Sequence, residues 1–149
     1  MVADAAGRYL VGMATPRPYF LFPGTAREAL TLYQRVFGGQ LQLNTFAEFS
    51  RNDGPPDDIA HGVLTGPVSL YAADAGADEA TFSSTGLMFA LLGDGTPAQL
   101  HAWFDGLAEG GTVIDPLQER PWGASDGQVI DAFGVKWLLG YEQPAEGED

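Results

Sequence analysis

The stretches "GTAREALTLYQRVFGG" (residues 24–39) and "GTPAQLHAWFDGLAEG" (residues 95–110) decide the fold, because each carries the same helix pattern. Each opens on Gly-Thr, continues with apolar residues at helical spacing and closes on glycine. The start signal, the apolar face and the stop glycine of one helix all recur in the other at the same sequence separation, which predicts an internal duplication. The matched pairs, 71 positions apart, are Gly24 with Gly95, Thr25 with Thr96, Ala29 with Leu100, Tyr33 with Phe104, Val36 with Leu107 and Gly39 with Gly110.

Strand patterns surround each helix in the same order. Apolar alternation and turn residues predict one strand before the helix and three strands after it in both halves. Thr96 is the predicted N-cap of the second helix, with Pro97 at the first helical position. The strand segments are "RPYFLF" (17–22), "QLQLNTFAEF" (40–49), "IAHGVLTG" (59–66) and "PVSLYAAD" (67–74), then "LMFALLG" (87–93), "TVIDPL" (112–117), "GQVI" (127–130) and "VKWLLGYE" (135–142).

This pattern predicts an α+β protein made of two βαβββ modules. One module buries only one face of its sheet, whereas two modules together can close around a shared cavity. The predicted organisation is an N-terminal extension (1–16), a first module (17–74), a linker (75–85), a second module (86–142) and an acidic tail (143–149).

Composition and charge narrow the classes of function. The chain has 149 residues, is 45% hydrophobic and contains no cysteine, so disulfides and thiolate chemistry are excluded. Its net charge is −13, with 2 basic and 13 acidic residues after position 74. Nucleic acid and anionic membranes are therefore not expected as partners, because both need clustered Lys and Arg. No apolar run approaches the roughly 20 residues of a membrane span, and the first 15 residues lack the pattern of a signal peptide, so we expect a cytoplasmic protein.

Three segments resemble the PhnB-like branch of the vicinal oxygen chelate superfamily, which includes glyoxalase I, bleomycin-resistance proteins and extradiol dioxygenases. They are "YFLFPGTAREALTLYQRVFGGQL" (19–41), "HGVLTGPVSLYAAD" (61–74) and "PWGASDGQVIDAFGVKW" (121–137). The resemblance covers residues 17 to about 142 and implies a half-open mixed-sheet barrel and a homodimer. Some members of this branch carry a ubiquinone-methyltransferase name, but no glycine-rich loop follows a strand here to hold a nucleotide-like cofactor.

The resemblance also bears on metal binding. Metal enzymes of the superfamily place ligands on the first and last strand of each module. None of the corresponding positions here offers an imidazole or carboxylate, which such metals require, so we expect neither a metal nor another cofactor. These positions are Pro18, Leu70 (or Tyr71), Met88 (or Leu87) and Leu138.

Five polar residues are candidates for chemistry. His61, in a strand that can face the cavity, would suit acid–base work near neutral pH, and its alternative is a hydrogen-bonded structural role. Glu48 and Asp74 lie at strand ends, where solvated carboxylates are common. Asp131 opens the hairpin turn "DAFG" and is expected to bond its own turn backbone. His101 lies beside the apolar face of its helix and is expected at the surface.

Aromatic residues predict an apolar pocket with few polar anchors. If Pro18 and Leu138 point inward, alternation also points Phe20 and Phe22 inward, sends Tyr19 and Leu21 towards the helix, and packs Trp137 outward against a helix. Near loops and strand ends, four further aromatic residues could rim the cavity, with "ERPWGASDG" (119–127) as a lid. They are Phe46, Phe82, Trp122 and Phe133.

The leading hypothesis is a metal-independent binding protein that takes an apolar or aromatic small molecule in the barrel cavity and forms a homodimer. A second hypothesis is a lyase- or isomerase-type enzyme that uses His61 with a carboxylate. A third is a structural or regulatory dimer whose cavity is filled by its own side chains. The residues predicted to bind the ligand are Phe20, Phe22, Phe46, Glu48, His61, Met88, Trp122 and Leu138.

Overall fold

The structure is a computed structural model that describes residues 14–143. Most of the predicted N-terminal extension (1–16) and of the predicted acidic tail (143–149) therefore lies outside the described residues. Within them, each half of the chain is a strand, a helix and three strands, as the sequence predicts.

The first half contains β1 (Tyr19–Phe22), α1 (Ala26–Phe37), β2 (Gln40–Thr45), β3 (Ile59–Thr65) and β4 (Leu70–Asp74). The second half contains β5 (Phe89–Leu92), α2 (Pro97–Ala108), β6 (Thr112–Glu119), β7 (Ala124–Ile130) and β8 (Lys136–Glu142). Both helices have 12 residues and begin 71 positions apart, which is the offset of the sequence duplication.

Each half folds into one four-stranded mixed sheet. The strand orders are β1-β4-β3-β2 and β5-β8-β7-β6. The first strand of each half pairs in parallel with the last, and the remaining pairs are antiparallel. The α+β fold with two βαβββ modules is thus confirmed.

One face of the first sheet is shaped to receive α1. Phe20, Ala72 and Gly62 lie side by side across β1, β4 and β3. A Cβ added to Gly62 would collide with the Leu30 side chain of α1, so the glycine lets the helix approach the sheet closely. We call this side of each sheet the helix face, and the opposite side the open face.

The predicted orientation of β1 is wrong. Phe20 and Phe22 lie on the helix face, with 2% and 1% of their surface exposed, and Tyr19 is 48% exposed on the open face. The prediction took Pro18 as an inward position, but Pro18 precedes the strand. Side chains of a strand point to alternate faces. A reference position that is wrong by one residue therefore assigns every side chain of the strand to the wrong face.

The two modules share one hydrophobic core. Tyr33 and Phe37 of α1 pack on Trp137 of β8, as predicted for Trp137, and Phe20 packs edge-on against Phe89. The buried Asp131 carboxylate joins the modules, because it accepts hydrogen bonds from the Tyr33 hydroxyl (2.6 Å) and from Trp137 Nε1 (2.9 Å). The same carboxylate accepts bonds from two backbone amides of its own turn, as predicted.

The helix N-termini are capped differently in the two modules. Thr96 accepts a hydrogen bond from the backbone N–H of Gln99, whose side chain bonds back to Thr96, so the predicted cap is a complete capping box. Thr25 makes no such bond. Its place is taken by the buried Asp74 at the end of β4, which accepts from the backbone N–H groups of Ala26 and Ile59.

The segment predicted as a linker (75–85) is packed against the first module. Phe82 is half-buried, lies edge-on to Phe20, and donates its backbone N–H to the Leu21 carbonyl. In residues 14–143, neither helix has the length and apolar character required to cross a bilayer.

Candidate functional site

A cluster of three aromatic rings lies on the open face of the first sheet. Tyr19 of β1 is paired with Tyr71 of β4, and His61 of β3 lies diagonally beside Tyr71. The Tyr19 hydroxyl is 2.9 Å from His61 Nδ1. We call these three residues the ring patch.

The three rings of the ring patch are nearly parallel and nearly equidistant. The ring centroids are 5.6 Å apart for Tyr19–His61, 5.7 Å for Tyr19–Tyr71 and 5.8 Å for His61–Tyr71. The interplanar angles are 31°, 23° and 21°. The rings therefore form a triangle, because in a column the outer two would be about twice as far apart as neighbours.

A charged loop lies beside the ring patch. The Arg51 guanidinium bonds both carboxylate oxygens of Asp53 (3.0 and 2.6 Å) and lies 3.7 Å from Glu79. Burial raises the pKa of the Tyr19 phenol, the Arg51 charge acts to lower it, and the Glu79 charge raises it again. The phenol is thus protonated at neutral pH and can donate its proton to the His61 ring.

The open face of the second sheet carries a cavity of about 310 Å³ at one end. Its lining includes Leu92, Trp122, Asp126 and Glu142, and the Trp122 side chain is 71% exposed. Asp126 accepts a hydrogen bond from Arg120 Nε at 2.8 Å, so one of the two carboxylates is neutralised within the sheet. The cavity combines an exposed indole with apolar and acidic surface.

Three other predicted ligand residues lie away from these surfaces or at their margins. Phe46 was expected to rim the cavity, but it is fully buried beneath the Arg51 guanidinium, 4.1 Å from the ring centroid. Glu48 is exposed in the turn after β2, where hydrogen bonds from Thr45 lower its pKa. Met88 lies exposed just before β5.

Three further polar candidates have structural partners. Asp74 caps α1, as described above, and the buried Asp131 links the modules. The third, His101, lies at the surface of α2, as predicted, with its Nε2 2.9 Å from the Tyr141 hydroxyl. Of the five candidates for chemistry, His61 is the one on an open face next to exposed aromatic surface.

The sequence profile of the Glyoxalase/Bleomycin resistance protein/Dioxygenase superfamily matches residues 15–139, across both modules. The chain belongs to this superfamily. The paired βαβββ modules described above are the architecture expected of a member.

Relatives of known structure or sequence agree with this assignment. Protein YjdN of Escherichia coli K12 is 30% identical over 147 residues, covering 87% of this chain and 97% of its own. Protein PA1353 of Pseudomonas aeruginosa is 32% identical, covers 88% of this chain and 99% of its own, and superposes with a TM-score of 0.71. The PhnB protein of Bacillus cereus, which carries a 3-demethylubiquinone-9 3-methyltransferase name, has a TM-score of 0.70 at 21% identity over 86% of this chain and 99% of its own; at that identity it shows the fold alone.

At the positions where the superfamily's metal enzymes bind their metal, this chain has residues that do not fit such a metal. Leu70 is buried on the helix face, whereas the open-face positions of the parallel strand pairs are Tyr19 with Tyr71 and Ala90 with Leu138. None of them supplies an imidazole or carboxylate. Within residues 14–143, no three His, Asp or Glu side chains lie close enough together to hold a metal ion.

The sequence interpretation did not include Tyr19 and Tyr71 among the predicted ligand residues, although both belong to the ring patch. It placed Tyr19 on the helix face and considered Tyr71 only as an alternative metal position. The sequence did offer a signal for this pair. Tyr19 and Tyr71 occupy matching positions in the first and last strands of the module, and these strands pair in parallel, so the two rings are expected to lie side by side. Leu138 does lie on the open face of its sheet, half-buried.

Proposed function

We propose that this protein is a metal-independent binding protein that takes an apolar or aromatic small molecule on the open faces of its sheets, and that it works as a homodimer. The observation that carries the proposal is the aromatic character of these faces. They present the three rings of the ring patch on one sheet and the exposed Trp122 beside a cavity of about 310 Å³ on the other.

Ligand sites in proteins are mostly apolar, with a small number of polar groups that orient the ligand. Here the candidate polar anchors are the Tyr19–His61 pair on the first sheet and Glu142 and Asp126 on the second. The absence of a suitable donor set at the superfamily's metal positions supports binding without a metal.

Native mass spectrometry of freshly purified, untagged protein tests the proposal. We expect a dimer mass, an added small-molecule mass that organic extraction removes, and elemental analysis with far less than one zinc, nickel, manganese or iron per chain. One tightly held metal per chain would contradict metal independence. The absence of a co-purified ligand together with no hit in a screen of apolar and aromatic compounds would overturn the binding function.

A second candidate function is acid–base catalysis by His61, because this ring bears a hydrogen bond from a titratable group on an open face. Its described partner is the Tyr19 phenol, whereas the sequence hypothesis named a carboxylate. Replacing His61 with alanine separates the two functions. A binding protein should lose affinity for its ligand, whereas an enzyme that uses His61 as general base should keep affinity and lose turnover by about 10²- to 10⁴-fold.

A further inference from the structure

We propose that the ring patch is a stacking platform for the flat face of a fused aromatic ring system. This inference rests on the proposed binding function and names the chemical class of its ligand. A puckered, saturated molecule of the same size and polarity is expected to bind far less well.

The first argument is the common orientation of the rings. Interplanar angles of 21° to 31° among all three pairs mean that the ring faces point in nearly the same direction. Centroid separations of 5.6 to 5.8 Å at these angles are those of rings offset-stacked on one another, so a flat ligand can extend the stack on an exposed ring face. Planar π-systems gain most from such offset, near-parallel contacts.

The second argument is exposure. Two other near-parallel pairs, Phe20–Phe22 and Tyr33–Phe37, lie in the hydrophobic core, where their neighbours already cover them. In contrast, Tyr19 is 48% exposed, and His61 and Tyr71 are partly exposed. Covering wet aromatic surface with a flat ligand is favourable without any further hydrogen bond.

The third argument is that the platform is held in place. The hydrogen bond between Tyr19 and His61 restrains two of the rings, which stand on β1 and β3, the two strands that flank β4 in the hydrogen-bonded sheet. The adjacent loop is fixed by Arg51, which is bonded to Asp53 and stacked on Phe46. A preorganised surface loses less conformational freedom when a ligand binds.

The test compares 2-naphthol with decahydro-2-naphthol, which share their carbon skeleton and hydroxyl group and differ in planarity. Titration calorimetry on the intact chain should give at least about tenfold tighter binding of 2-naphthol, since base-sized rings typically gain one order of magnitude from stacking. Proton NMR should show upfield ring-current shifts of the bound naphthol signals.

Substitutions locate the binding on the ring patch. His61→Leu and Tyr71→Leu should each weaken 2-naphthol binding about 5- to 150-fold, whereas His61→Phe and Tyr71→Phe should restore most of it because they keep a flat ring. His101→Leu is the matched control, since His101 has an equivalent tyrosine partner outside the ring patch, and it should have no effect. If a leucine variant does not fold, the exposed Tyr19→Leu takes its place.

The outcomes distinguish this inference from the function on which it rests. Equal affinity for the two probes, or equal losses in the leucine and phenylalanine variants, would overturn the stacking platform and leave a binding protein of another specificity. No binding of either probe would also overturn the platform. The binding function itself falls only if the wider screen and the search for a co-purified ligand both fail.

Discussion

At the scale of single residues, Asp131 connects parts of the chain that are far apart in sequence. Its buried carboxylate receives hydrogen bonds from Tyr33, 98 positions earlier, from Trp137 and from two backbone amides. A buried carboxylate is tolerated only when such bonds replace its hydration. Asp131 therefore also orients the β7–β8 hairpin on α1 through a polar contact.

Tyr33→Phe tests this connection. Removing a hydrogen bond to a charged acceptor should lower the free energy of unfolding by about 1.5–3 kcal/mol, as measured by chemical denaturation at pH 7. The control is Tyr19→Phe, which removes an exposed hydroxyl and should change stability by less than about 0.5 kcal/mol. Equal effects of the two substitutions would show that the Tyr33–Asp131 bond has no special weight.

The same pair predicts how stability changes in alkaline solution. Burial and the neighbouring Asp131 charge raise the pKa of Tyr33 well above its ordinary value of 10.0. The folded state therefore favours the protonated phenol, and its contribution to stability is complete below pH 10 and is lost as the pH rises from there towards the folded-state pKa. We expect denaturation curves between pH 9 and 11 to show a fall of up to about 1.4 kcal/mol per pH unit from this group, absent in Tyr33→Phe.

At the scale of elements, the two helices show how a duplicated sequence has acquired unequal supports. Both copies retain Gly-Thr before the helix, but only Thr96 forms a cap with its side chain. The first helix depends instead on Asp74, which belongs to a strand 48 positions later. The N-terminus of α1 is thus stabilised through tertiary structure, and that of α2 by a local contact.

Three alanine substitutions should separate these supports. Thr96→Ala should cost about 0.5–2 kcal/mol of unfolding free energy, the usual effect of losing an N-cap. Thr25→Ala should cost much less, because no cap bond is lost. Asp74→Ala leaves the amides of Ala26 and Ile59 without their acceptor and should cost about 2–4 kcal/mol. Similar losses for Thr25 and Thr96 would contradict the difference in capping.

Local signals also explain which elements were predictable. The helices carry their start, apolar face and stop within 16 residues, so the sequence predicts them closely. The ring patch depends on strand register instead, since Tyr19 and His61 are 42 positions apart and meet only when β1, β4 and β3 pair. The prediction of the β1 orientation was wrong for the same reason. In a strand of four residues, the sequence does not show which alternate side chains face the helix unless the neighbouring strands are known. Phe46 was mistaken for a rim residue because its place near the end of a predicted strand does not show which way its side chain turns.

At the scale of the whole molecule, the second sheet is covered less well than the first. Leu92 is 56% exposed, and Val113 and Ile114 of the edge strand β6 are 43% and 48% exposed. Strands β3 and β4 of the first sheet bury most of their residues, whereas alternate residues of β5 and nearly all of β6 contact solvent. An exposed apolar sheet face with an open edge favours association.

We therefore expect a homodimer in which a second copy packs along the exposed edge strand β6 of the second sheet. Sedimentation at micromolar concentration should give the dimer for the wild type, and Ile114→Glu should weaken the dimer at least about tenfold by burying an unpaired charge. Phe49→Glu serves as the control, because Phe49 is equally exposed, at 51%, but lies in a loop of the first module. A monomeric wild type would contradict the expectation, as would equal effects of the two substitutions.

The strand order also has a consequence for how the chain folds as it leaves the ribosome. Synthesis runs from the N-terminus, yet β1 pairs only with β4 and β5 only with β8, the last strand of each module to be made. Until β4 emerges, the phenyl rings of Phe20 and Phe22 have no sheet neighbour, and a chaperone that recognises apolar segments would find them accessible. In each module, the strand that is synthesised first can therefore pair only after the strand that is synthesised last has emerged.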